Sequence, residues 1–398
     1  MRELIRKSYI EILKRCQYPN ICKVLMGIRK CGKSYITNQF INNIDNKNCN
    51  IIYFDFNDID VKLNYSTIEL LHKQIIKKSN DKKQNILIID EVQELKDWNI
   101  LINSYTSKIN FDVYITGSNA NLLSKELSTL LTAKHTDIYI KPFNFKEYAE
   151  YMEYLKLDKE ALFNEYFVYG GMPGRFLFDK NDHSAFYSYI KMIFSDIMTK
   201  DIFPRYKIEN IVEFEAIFLY LMNNIGKIIN CDNIRKYLIS NNKSNISGST
   251  IDNYLRNICD SFLLNKVPCY NLKTKNILNT NAKYYAIDTG FIKVNCIKYE
   301  SNYGYILENI VFLHLLNNYS NILYIKEPHE IDFFCEKNNI RYLIQVCDEI
   351  NSNNVKREIE NLENIKINAI KIVICRKGPF YTTKSGIQII NIIDWLLE

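Results

Sequence analysis

The sequence predicts an α/β protein built on a parallel sheet around a phosphate-binding loop. Three observations predict it. "GIRKCGKS" (27–34) stands between a short apolar run and a segment of helical period. A second apolar run closes on Asp90-Glu91, and a third closes on Ser118-Asn119.

"ICKVLM" (21–26) suits a buried strand, and "SYITNQFINNI" after the loop has apolar residues at helical spacing. In that context Gly27 and Gly32 let the backbone wrap inward. The stretch Gly27, Ile28, Arg29, Lys30, Cys31, Gly32, Lys33, Ser34, Tyr35 is then the nucleotide-binding loop. Lys33 is placed to reach the β- and γ-phosphates, and the Ser34 hydroxyl to bind Mg²⁺ at the helix N-terminus.

"NILIIDEVQEL" (85–95) supplies the partner strand such a loop needs. Asp90 is the candidate for the Mg²⁺ shell and Glu91 for orienting and deprotonating an attacking water, an arrangement of an NTPase rather than of a P-loop kinase. "FDVYITGSNA" (111–120) ends in Ser118 and Asn119, where a polar side chain at the carboxyl end of a parallel strand can sense the γ-phosphate. The same residues are also favoured helix caps. No N-K-x-D guanine-reading motif is present, so ATP is the expected nucleotide and Mg²⁺ its metal.

Composition bounds the rest. With 398 residues and 47% apolar content the chain has room and material for two or three cores. Lys and Arg number 51 against 45 acids, a net +6 that permits nucleic acid as a partner without demanding it. Eleven cysteines without a C-x-x-C pair, and no clustering with the five histidines, indicate neither a zinc site nor a disulfide framework. The chain reads as cytosolic and reduced. The longest apolar runs, such as "FEAIFLYLM" (214–222), are too short to span a bilayer, so no membrane role follows. "NNIDNKNCN" (42–50) and "NNKSN" (241–245) read as polar loops.

In the middle of the chain, 210–226, 231–242 and 247–267 read as three successive helices. "VPCYN" and "AKYYAID" follow as strands, joined by the basic polar loop "LKTKNILNTN" (272–281). Helices followed by a basic hairpin predict a winged helix-turn-helix. Its third helix carries Asp252, Asn253, Arg256, Asn257 and Asp260, a poor electrostatic match for DNA, which leaves an interaction or lid module beside the DNA-binding reading. Lys273, Lys275 and Lys283 are the better phosphate contacts.

These residues resemble a known family. "ICKVLMGIRKCGKSYI", "ILIIDEVQELKDWNIL", "VYITGSNANLLSKELSTLL", "IYIKPFNFKEY" (138–148), "YFVYGGMPG" (166–174), "DIFPRYKI" (201–208) and "KYYAIDTGFI" (283–292) together resemble the prokaryotic AAA-type P-loop ATPases with a C-terminal domain of unknown function. The resemblance implies an ATP-binding core, a winged-helix segment and a nuclease-like end. The expected divisions are 1–148 for the ATPase core, 149–206 for a helical connector, 207–292 for the winged helix and 293–398 for a restriction-endonuclease-like α/β domain. Where such proteins show Gly-Arg, this chain reads Ala133-Lys134 before His135, which removes a candidate arginine finger. Arg29 and Arg205 are the alternatives, each otherwise a surface salt bridge.

At the C-terminal end the resemblance places a metal site on Glu308 in "YILENIVF", Asp332 in "HEIDFF" and Gln345 in "IQV". Cys347 fills the position of the usual lysine, with Lys356 as a possible substitute; the plain alternative is a buried acid pair satisfied by hydrogen bonds. Three functions stay open: an ATPase whose nucleotide state controls the C-terminal half on DNA, an ATP-binding switch that holds a protein partner or further copies of the chain, and an ATP-regulated nuclease.

Overall fold

The computed structural model describes residues 4–117, 134–179, 182–241, 246–297, 299–327, 329–351 and 354–398. These residues form two compact units, one of 1–142 with 260–262 and one of 143–259 with 263–398.

The first unit is built on β1 (Cys22–Met26), β2 (Cys49–Asp55), β3 (Gln84–Asp90), β4 (Phe111–Gly117) and β5 (His135–Tyr139). Their order is β2-β3-β4-β1-β5, and every pairing is parallel. Parallel strands need crossovers, supplied by the helices Lys33–Asn42, Ile68–Lys78 and Trp98–Thr106. Helices on the faces bury both sides of the inner strands, which is why β1, β3 and β4 read as continuous apolar runs rather than alternating ones. Val24, Met26, Ile52, Phe54, Leu87, Ile89, Val113 and Ile115 meet Leu71, Ile75, Leu101 and Ile102 in its core.

One charged pair is built into this sheet. Lys23 on β1 and Asp112 on β4 form an ion pair, both nearly inaccessible to solvent, and the Tyr114 hydroxyl donates to the other Asp112 oxygen at 3.0 Å. With β4 between β1 and β3, the loops leaving β1 and β3 flank a crevice at the carboxyl ends of the strands, where the strand order reverses.

The second unit opens with helices. Phe145–Met152 starts at a capping box of Asn144 and Glu147, and Lys159–Tyr169 starts at Asp158. His183–Asp196 runs into a π-helical turn, Ile197–Ile202, and then the short helix Phe203–Tyr206. The three helices expected in the middle are present as Ile211–Asn223, Cys231–Ser240 and Gly248–Asp260, the third ending short of the expected 267 because residues 264–267 belong to the strand that follows.

The hairpin that follows is longer than its sequence suggests. β6 (Leu264–Asn271) pairs antiparallel with β7 (Asn276–Ala286), so most of 272–281, expected as a loop, is strand. Residues 276–280 are exposed on both faces, so no apolar alternation marks them.

The helices Thr289–Asn295 and Tyr303–Asn318 lead to β8 (Ser320–Ile325), β9 (Ile331–Lys337) and β10 (Ile340–Glu349). Asn338 and Asn339, with φ of 52° and 63°, close the tight β9–β10 turn. The helix Val355–Glu363, β11 (Ile370–Lys377), β12 (Tyr381–Thr382), β13 (Gln388–Asn391) and the helix Ile392–Leu397 complete the chain. One mixed sheet, β12-β13-β11-β10-β9-β8-β6-β7, runs across the expected 292/293 division, because β6 pairs with β8 through Cys269–Tyr324 and Tyr270–Ile325.

Candidate functional site

The phosphate-type loop forms as its residues demand. Gly32 caps the helix Lys33–Asn42 at φ 101°, a left-handed conformation that suits glycine. Gly27 is fixed by close approach instead, since a Cβ there would lie 2.0 Å from the Ile140 carbonyl oxygen. Cys31 is buried and gives its thiol to that same carbonyl at 3.3 Å, while Ile28 is buried, Arg29 half-buried, and Lys30 and Tyr35 exposed. Lys33 is buried, and its ammonium donates to the loop carbonyls of Gly27 at 3.1 Å and Ile28 at 3.4 Å.

Asp90, at the end of β3, is fully buried. The Thr116 hydroxyl donates to its carboxylate, the Ser34 hydroxyl lies close enough to lower its pKa, and the Tyr53 hydroxyl is 3.4 Å from its second oxygen. Burial pushes the Asp90 carboxyl above its ordinary range, with Glu91 and Asp55 adding to the rise and the two hydroxyls opposing it. A buried acid beside two further acids and a serine hydroxyl is an oxygen-rich set short of positive charge, and it fits a hard divalent cation. The Lys33 ammonium held over the loop carbonyls fits an anion beside it. Loop and acids therefore suit a Mg-nucleotide together.

Glu91 takes a left-handed backbone, φ 53°, and its N–H donates to the Thr116 hydroxyl at 3.0 Å. The Gln93 amide donates to its carboxylate. Ser118, Asn119 and Ala133 lie outside the described residues, as does the side chain of Lys356. Sequence reasoning passed over Thr116, although a polar residue interrupting the apolar run of β4 one place beyond the Ile89–Ile115 pairing was a usable signal.

Residues 20–149 match the model of an AAA domain, and 160–295 match a domain of unknown function, DUF8612. A Haemophilus influenzae protein described as uncharacterized is 32% identical over 99% of this chain and 98% of its own length. The chain belongs to the same family, and it carries an AAA-type P-loop ATPase domain. The uncharacterized protein MJ1544 of Methanocaldococcus jannaschii is 32% identical over 87% of this chain and 78% of its own. Among solved structures, the Walker-type ATPase PABY2304 of Pyrococcus abyssi is similar with a TM-score of 0.49 and 18% identity, over 73% of this chain and 95% of that one.

In this AAA-type ATPase Lys134 does not stand beside the phosphate loop of its own chain. Its carbonyl accepts the Cys22 N–H at the amino end of β1, whereas Gly27 follows the carboxyl end. The separation is roughly 16 Å at a strand rise of about 3.3 Å per residue. Arg205 has no carboxylate partner among the described residues; its guanidinium lies 5.7 Å from the Tyr206 ring and its Nη1 is buried without a hydrogen bond. The surface salt bridge expected for it is not among the described contacts.

The C-terminal acids are brought together in part. Glu308 and Asp332 are both buried, and between them lies the ammonium of Lys283, 2.8 Å from Glu308 Oε1 and 3.0 Å from Asp332 Oδ1. Lys283 was expected as an exposed phosphate contact; it is instead 1% exposed, because it sits in the half of β7 that packs on the core. Lys273 and Lys275 are exposed at the hairpin tip. Gln345 hydrogen-bonds neither acid, and its buried Oε1 has no partner among the described residues. Cys347 stands beside Cys375 on the neighbouring strand, which with burial pushes its pKa up. Burial pushes Glu308 up to about 7, with Asp332 adding to the rise and Lys283 opposing it.

Proposed function

We propose that the protein binds ATP with Mg²⁺ at the 27–35 loop, hydrolyses it, and passes its nucleotide state to the C-terminal unit. The observation that carries this reading is the approach of the Ser34 hydroxyl to the buried Asp90 carboxylate, close enough to lower its pKa, which joins the loop and the acidic strand end at one point. Mg²⁺ would supply Lewis-acid polarisation of the phosphates between these two residues.

The remaining work falls to the chain. Lys33 would exchange its bonds to the Gly27 and Ile28 carbonyls for phosphate oxygens, at little cost because both states satisfy the ammonium. Glu91 would accept the proton of the attacking water, and Thr116 would hold Asp90 and the Glu91 backbone in register. Asn119 remains the proposed γ-phosphate sensor.

A second reading, a switch that binds ATP and turns it over slowly, is favoured by one contact. The Gln93 amide engages the Glu91 carboxylate, and a base held by a donor is a weaker base until that contact opens. For the C-terminal unit, a winged-helix role on DNA is supported by the exposed Lys273 and Lys275 at the hairpin tip.

The test is phosphate release from purified protein with Mg-ATP, with and without duplex and single-stranded DNA, beside Glu91→Gln. Turnover that the variant loses supports the ATPase, and a rise with DNA supports the coupling. ATP binding with no turnover above Glu91→Gln under any condition would leave the switch.

A further inference from the structure

The acids at the C-terminal end converge on a lysine. The Lys283 ammonium lies 2.8 Å from Glu308, 3.0 Å from Asp332 and 3.0 Å from Glu330. An ammonium has three hydrogens to donate, and three carboxylates surround this one. The acids are in turn held in place: Tyr285 donates to Glu308, and the Val346 N–H donates to the other Asp332 oxygen at 3.0 Å.

We propose that Lys283 is the built-in cation of this acid set, taking the part that a divalent metal takes in a nuclease-type site, so that the set clamps the unit together and does not hydrolyse phosphodiesters. The inference stands apart from the ATPase reading and concerns only the second unit. Four observations carry it. Lys283 is 1% exposed and sits on a strand, so a metal at the acids would be repelled by a fixed ammonium that already bonds the same carboxylates. Gln345, where the resemblance places a further ligand, is neutral, and its buried Oε1 has no hydrogen-bond partner among the described residues. The acids' oxygens are also taken by protein donors, since the Val346 N–H holds the second Asp332 oxygen and the Tyr285 hydroxyl shares Glu308 Oε1 with Lys283.

The fourth observation is where the cluster lies. β6 meets β8 through only two residue pairs, the narrowest pairing between long strands of this sheet. Lys283 belongs to β7 on one side of that seam, while Asp332 belongs to β9 on the other and Glu308 to the helix Tyr303–Asn318. The ion cluster thus bridges the place where backbone pairing is sparse. A buried charge cluster holds strongly only when all its partners are present, because removing one leaves the others uncompensated.

The experiment uses the full-length chain without nucleotide, with Mn²⁺ as probe, read by electron paramagnetic resonance, thermal shift and nicking of supercoiled plasmid. Wild type and Glu330→Gln, whose side chain is half exposed, should bind Mn²⁺ equally, and neither should nick DNA. Lys283→Ala should melt lower than wild type and recover part of the loss in millimolar Mn²⁺, which wild type does not. Mn²⁺ binding or nicking in wild type that Asp332→Asn abolishes would overturn the proposal. So would a folded Lys283→Ala that Mn²⁺ does not stabilise. If Lys283→Ala fails to fold, the wild-type comparison with Glu330→Gln and Asp332→Asn decides alone.

Discussion

The carboxylate of Asp288 accepts the backbone N–H of Gly171 at 2.6 Å. It also accepts the Gly290 N–H at 2.8 Å, so "YFVYGGMPG" and "KYYAIDTGFI" meet on one buried acid. Both motifs are therefore accounted for by packing inside the second unit. Burial pushes Asp288 up to about 6, with the backbone donors and Arg175 opposing the rise. Its folded pKa lies above its unfolded one, so its contribution to stability is full below about pH 4 and is lost as pH rises through about 6. The linked change is about 3 kcal/mol. Melting temperature should fall over that window in wild type more than in Asp288→Asn, and parallel profiles for the two would refute the assignment.

Thr116→Val should slow ATP turnover by about ten- to a hundredfold, the worth of a hydrogen bond to a charged group, while nucleotide affinity changes little. The reason is geometric: Thr116 touches Asp90 and the Glu91 N–H but none of the loop residues to which it would have to bond to affect binding. Steady-state kcat beside a fluorescent-nucleotide titration separates the two effects.

Gln93→Ala should move kcat the other way. Freed from the amide, Glu91 becomes the stronger base, and basal hydrolysis should rise several-fold with Kd unchanged. A variant no faster than wild type would remove the contact from the mechanism.

Asp112→Asn should destabilise the first unit by about 3–5 kcal/mol, because it leaves Lys23 buried without its counter-charge. Replacing both residues by apolar ones of similar size should cost much less. Chemical denaturation of the single and double variants measures the difference.

Much of the ATPase fold was legible because its signals are local. A buried parallel strand is an apolar run, and the loop between β1 and its helix needs glycine and lysine at fixed places. β2 was hidden because it begins inside the Asn-rich stretch 42–50 and is only partly buried. In the second unit the helices 211–223, 231–240 and 248–260 were readable from their period, whereas the length of β7 was not, since its outer half faces solvent on both sides.

Lys283 shows where sequence reasoning fails. A lysine within "AKYYAID" was read by its charge, when its apolar neighbours said that it was inside. What it pairs with lies on a distant helix and strand, and no spacing in the sequence joins them. Glu308 and Asp332 were found by pattern, but the identity of their cation depends on tertiary contact alone.

The π-helical turn Ile197–Ile202 has a consequence for kinship and design. Such a turn holds one residue more than an α-turn, and each residue advances a helix by about 100°. Everything after it, Arg205 included, is thereby rotated about the axis relative to an uninterrupted continuation of His183–Asp196. Removing a single residue within 197–202 would let the helix run on as an unbroken α-helix with the downstream side chains keeping their present bearing, so a one-residue gap in a relative at this point leaves the arginine aimed as it is, whereas winding all the residues present into an unbroken α-helix would turn it by about 100°.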